Sequence, residues 1–130
     1  MPRSIEVIVR ASMLVTTLFS IGCQSAGETA DTSEAVLEVF CAEAPVVNYA
    51  NFGESFMNHQ CQGCHSSALE ERFDAPLEVT FDTLEDVWVW RDRILDRCDL
   101  DAPTMPPRGG VTDDELLMLH WWLKCATIGT

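Results

Sequence analysis

The chain has 130 residues, 47% of them hydrophobic, with 8 Lys+Arg against 21 Asp+Glu and a formal net charge of −13. That length suits one domain, and the acidity excludes nucleic acid as a partner, because phosphates need a basic face. Six cysteines in so short a chain point to a staple or a cofactor that supplements a small core.

Residues 1–22 read as a signal peptide. Arg3 and Arg10 give a positive start, and Ala11 to Gly22 is an uncharged, mostly apolar run. Twelve residues is the length of a signal core and too short to cross a bilayer as a helix. Ser20-Ile21-Gly22-Cys23 resembles a bacterial lipoprotein lipobox, with Ser20 where an aliphatic residue is usual. By that resemblance Cys23 is lipidated and begins the mature chain. The alternative is an ordinary cleaved signal that leaves Cys23 as a thiol. Lipidation implies a membrane anchor on the periplasmic side of the bacterial cell envelope. Gln24 brings no inner-membrane retention signal, which favours the outer membrane.

With Arg3, Arg10 and Glu6 removed, the chain keeps 6 basic and 20 acidic side chains, net −14. Such a surface supplies solubility, and it also draws in a partner with a basic docking face. From Cys23 to about Phe40 the composition of Ser, Thr, Ala, Gly and acids predicts a flexible tether, with a short ordered piece at Val36 to Phe40.

Residues 41–130 form the folded domain, and their patterning predicts an all-α fold of three main helices. The first runs from about Asn48 to Gln60, with Phe52 and Phe56 on one face and Gly53 allowing a close crossing. The second runs from Thr83 to about Arg97. Thr83 is its N-cap, Glu85 and Asp86 sit in its first turn, and Leu84, Val87, Trp88, Ile94, Leu95 and Cys98 form a stripe. The third runs from Asp113 to about Ala126, and Thr112 and Glu115 are spaced as a capping box. The loop from Asp99 to Val111 holds three prolines and two glycines, and a loop that long in so small a domain is usually functional.

Cys61-Gln62-Gly63-Cys64-His65 is C-x-x-C-H, the attachment motif of c-type haem. Two thiols add across the two vinyl groups of the porphyrin, and two intervening residues let both sulfurs reach one edge of the ring. The next residue, His65, then falls under the iron as an axial ligand. Three alternatives compete. A thioredoxin-like dithiol uses C-x-x-C after a strand, whereas the residues before Cys61 look helical. A zinc site needs four ligands, and the chain holds three histidines. A plain Cys61–Cys64 disulfide leaves His65 unexplained.

Thr104-Met105-Pro106-Pro107 is the second chemical feature. A thioether is a good sixth ligand for haem iron in an electron carrier and raises its potential. Two prolines stiffen the loop that presents the sulfur, and forty residues separate Met105 from His65, enough to pass around the ring edge. The alternative is that Met105 only fills the core. Met57 and Met118, on helices, read as fillers. His59 and His120 read as non-ligands, and the four tryptophans as packing.

The order of these features resembles the cytochrome c family over about residues 41 to 128. It runs helix, C-x-x-C-H, middle helix, Met-Pro-Pro loop, and an aromatic-bearing last helix. Tyr49-Ala50-Asn51-Phe52-Gly53, Phe81-Asp82-Thr83 and Trp122-Leu123-Lys124-Cys125 are similar to segments of small single-haem lipoproteins of that family. The resemblance implies the compact cytochrome c-like fold around one haem c. Cys61 and Cys64 would carry the haem, and His65 and Met105 would bind its iron. It implies a one-electron carrier rather than an enzyme. The alternative is a haem peroxidase or gas-binding protein, which requires Met105 off the iron and an acid–base residue above it. The resemblance also implies that the first and last helices cross, so Cys41–Cys125 would join the ends of the domain. Cys98–Cys125 is the rival pairing, and Cys98 also suits a buried thiol.

Overall fold

A computed structural model of the chain describes residues 28–126, and among them every regular element is helical. Helix α1 spans Glu28–Ala42. A continuous helical run then leads to the C-x-x-C-H motif. It consists of a π-helical turn π1 (Tyr49–Gly53), α2 (Glu54–Phe56), a second π-helical turn π2 (Met57–Cys61) and α3 (Gln62–His65). Helices α4 (Leu84–Val89), α5 (Arg91–Arg97) and α6 (Asp113–Cys125) follow. No helix among the described residues is long and apolar enough to cross a membrane. The signal peptide and Cys23 lie outside the described residues.

Local side-chain chemistry starts π1, α4 and α6. Asn48 caps π1: its side chain accepts from Asn51 N–H at 3.0 Å, and the Asn51 side chain accepts from Asn48 N–H at 2.8 Å. Thr83 and Asp86 make the same reciprocal pair at α4, and Thr112 and Glu115 at α6. Each pair satisfies helix donors that would otherwise lack partners.

Two expectations are corrected. The stretch expected as a tether is helical from Glu28, and the helix is tied to the body. Phe40 packs on Trp121 with ring centroids 6.1 Å apart, Lys124 lies 5.4 Å over the Phe40 ring, and Cys41 is bridged. Ala, Glu and Leu are good helix formers, and Val36, Leu37, Phe40 and Cys41 share helical spacing, so the acid-rich composition concealed a helix. The second predicted helix is broken at Trp90, which sits at φ −100° and ψ 6° between α4 and α5. Its apolar spacing runs through the break without a signal; the break falls at the indole that lines the cavity described below.

The core is built on α6. Leu116, Leu119, Trp122 and Leu123 are buried there with Phe56, Met57, Val87, Ile94 and Cys98 from the other helices. Gly53 permits the crossing of π1 and α6: a Cβ at that position would lie 2.5 Å from Trp122 Cζ2. Trp122 is fully buried and touches Tyr49 and Phe52, with centroids 5.9 and 6.3 Å away. Cys125, the last residue of α6, is bonded to Cys41 with Cα atoms 5.4 Å apart, while Cys98 stays a buried thiol.

His120 fills the space between α6 and α5. One ring nitrogen, Nε2, donates to the Cys98 carbonyl at 2.8 Å, and the buried Nδ1 meets no protein partner. Burial holds the imidazole below its ordinary pKa of 6.5, Lys124 adds to this, and the Cys98 carbonyl and Asp99 oppose it. The folded state therefore favours neutral His120 more than the unfolded chain does. Its contribution to stability is complete above about pH 6.5 and is lost as the pH falls below that value. The urea midpoint is expected to drop between pH 7 and pH 5, and His120→Phe should flatten that drop. Asp82 and Asp99 have lowered carboxyl pKa values, which move their effects below this window.

Candidate functional site

The helical run capped by Asn48 ends at the motif, and its last wide turn, π2, closes on the first motif cysteine, Cys61. Widened turns of this kind often occur at functional sites, because the extra residue re-aims the face that follows. Cys61, Cys64 and His65 all line one cavity of about 440 Å³. Its walls are mostly apolar, with Phe56, Val79, Phe81, Trp90 and Ile94 among them, and Met105, Pro106 and Pro107 lie on the same cavity. That size and lining suit an apolar cofactor or small molecule. A second hollow of about 450 Å³, lined by Phe40, Leu95 and Lys124 among others, carries no thiol or imidazole.

His65 is oriented by backbone bonds. Its Nδ1–H donates to the Val79 carbonyl at 3.1 Å, which leaves Nε2 as the nitrogen for a metal. The Phe81 N–H donates to the His65 carbonyl at 2.9 Å, and the Phe81 ring lies 4.7 Å from the imidazole. Gln62 reaches across to the Phe81 carbonyl at 2.9 Å. The loop after the motif is thus pinned to it.

Within that loop, Phe73 and Asp74 take left-handed backbone conformations, with φ of 50° and 66°. Such conformations cost energy in residues other than glycine and cluster at functional sites. Both residues line the cavity, and the exposed Phe73 ring lies under the Arg108 guanidinium at 6.0 Å. Arg108 follows the Met-Pro-Pro segment, so the two cavity loops meet there.

The Met105 loop is tied to the end of α5. The Arg97 carbonyl accepts from Thr104 N–H at 2.7 Å, from Met105 N–H at 2.9 Å and from the Thr104 hydroxyl at 3.3 Å. These bonds fix the backbone from which the thioether projects.

Burial pushes the Cys61 thiol up to about 12, and the Cys98 and Cys64 thiols add to the effect. Burial also pushes the Cys98 thiol, which lines the same cavity, up to about 11. A reactive dithiol centre needs the opposite, a lowered pKa that supplies thiolate. Among the described residues no group of three or more His, Cys, Asp and Glu side chains is gathered to hold a bare metal ion.

The sequence-predicted residues Cys61, Cys64, His65 and Met105 therefore share one cavity. His59 is turned back on its own helix, with Nδ1 2.7 Å from the Ser55 carbonyl, and His120 is held at Cys98. Nothing in the sequence points to Arg72, which is buried beside the motif, or to Trp90 in the cavity wall. A lone arginine between acids carries no periodic or motif signal. No family model, no curated protein and no solved structure matches the chain.

Proposed function

We propose that this protein is a one-electron carrier of the cytochrome c type, with one haem held by Cys61 and Cys64 and its iron bound by His65 and Met105. The observation that carries the reading is the shared cavity. Two thiols, an imidazole with its Nδ1 occupied, and a thioether all line one apolar hollow of about 440 Å³. The residues present fit the group: soft and imidazole donors suit iron, and apolar walls suit a porphyrin.

When bound, the haem supplies the iron couple that takes up and releases a single electron. The chain's residues supply attachment, ligation and environment. Cys61 and Cys64 would fix the ring to the end of the helical run. The Val79 carbonyl fixes the tautomer of His65. The three bonds to the Arg97 carbonyl hold the Met105 backbone with little freedom, so ligand reorganisation on electron transfer stays small. Phe56, Phe81, Trp90 and Ile94 line the cavity and would keep water from the haem, which helps set its potential. The acidic surface fits a redox partner with a basic face, and a lipid on Cys23 would hold the carrier at the periplasmic surface of a membrane.

The test is an optical and potentiometric comparison of the haem-bearing protein with Met105→Ala. The protein should show the ferric band near 695 nm that reports iron–methionine ligation. Met105→Ala should keep its haem, lose that band and titrate at a lower potential. An unchanged band and potential would remove Met105 from the iron and favour the peroxidase or gas-binding alternative.

A further inference from the structure

Arg72 is a charged side chain only 8% exposed, placed against the motif it follows. Its guanidinium donates to three backbone carbonyls: Nε to Cys64 at 3.2 Å, Nη1 to Leu77 at 2.8 Å and Nη2 to Val79 at 2.6 Å. No carboxylate lies within ion-pair distance of it among the described residues. The Asp82 carboxyl, held low chiefly by Ser66 and Ser67, feels it weakly. A buried cation without a counter-ion is expensive, so its position needs a reason beyond loop closure.

The Val79 carbonyl is the oxygen that also accepts from His65 Nδ1–H. Two donors, one of them cationic, share one acceptor. We propose that Arg72 is a positioning residue for His65, and that through the Val79 carbonyl it limits how strongly the imidazole donates to iron. This rests on the haem reading above. Two effects act in the same direction. A carbonyl already bound by a guanidinium is a poorer acceptor for Nδ1–H, so the imidazole keeps less negative character and stabilises ferric iron less. A fixed positive charge buried behind the motif also disfavours the added charge of the ferric state. Both raise the potential. The same three bonds clamp the ends of the loop, Cys64 at one side and Leu77 and Val79 at the other, so the imidazole plane is held from two directions.

The experiment is potentiometry on the haem-bearing protein and on Arg72→Leu, Arg72→Gln and Arg72→Lys, with haem content, the 695 nm band and urea stability measured on each. At the wild-type midpoint, Arg72→Leu and Arg72→Gln should shift the ferric-to-ferrous ratio about tenfold toward ferric, which is 59 mV for a one-electron couple. Arg72→Lys keeps the charge but not the three-way fork, so it should lose stability and shift the ratio less. Should Arg72→Leu fail to fold, Arg72→Gln and Arg72→Lys carry the comparison. A purely structural arginine would lower stability in all three variants and leave the ratio within twofold of wild type. That result overturns the proposal while leaving the haem reading intact. A wild-type protein without haem overturns both.

Discussion

Replacing both Cys61 and Cys64 by alanine is expected to give a chain that gains no covalent haem and that unfolds or stays loosely packed. The two sulfurs lie at the end of the helical run, on a cavity of about 440 Å³ that reaches Phe56, Ile94 and Cys98 of the core. Without the group that fills it, the apolar lining of this hollow is left facing water and loses packing contacts, so the walls would collapse or the fold would loosen. A single replacement leaves one thioether and should weaken attachment rather than abolish it. The measurement is haem retained after denaturation, together with urea unfolding of whatever protein accumulates. A double variant that carries covalent haem would contradict the attachment site.

Loss of the Cys41–Cys125 bridge is expected to have the second largest effect. The bond spans 84 residues of sequence and joins the end of α1 to the end of α6. By loop-closure entropy a cross-link over that length stabilises by about 4–5 kcal/mol, and removal of native bridges from small exported domains typically costs about 2–5 kcal/mol. Cys41→Ser with Cys125→Ser removes the bond without leaving a reactive thiol. Its urea midpoint should fall sharply while the haem, if bound, stays attached, because neither cysteine lines the cavity. Phe40 on Trp121 and Lys124 over Phe40 would be the remaining ring contacts of α1 with α6, too little to hold α1 in place. An unchanged midpoint would mean that the bridge does not constrain the unfolded chain.

Features that depend on a few neighbouring residues were legible in the sequence. Thr83 and Thr112 announce their helices, because a capping side chain acts on N–H groups three residues away. Phe52 and Phe56 announce a shared face and do stack, with centroids 5.3 Å apart. Gly53 announces a close crossing, which Trp122 fills. The C-x-x-C-H motif of Cys61, Cys64 and His65 and the Met-Pro-Pro segment stand out in the sequence, and each of these residues lines the one cavity.

What was hidden depends on groups far apart in the chain. α1 reads as a solvated tether because Val36 and Val39 remain exposed and its hold on the body comes from Phe40 and Cys41 meeting α6. The break at Trp90 is local in backbone but leaves the apolar period undisturbed, so periodicity cannot reveal it. Arg72 acts on three carbonyls, and backbone acceptors have no residue type to read. The partner of His65 Nδ1 is hidden for the same reason.

Covalent haem on Cys61 and Cys64 would leave its signature in the intact mass of the wild-type chain. The protein should be matured in a host that attaches c-type haem, then denatured and extracted with acidified acetone before weighing. The mass should exceed that of the processed chain by one haem, retained through extraction and confined to the peptide containing residues 61–65. A processed chain without that increment, from a host shown to load other c-type proteins, would contradict it.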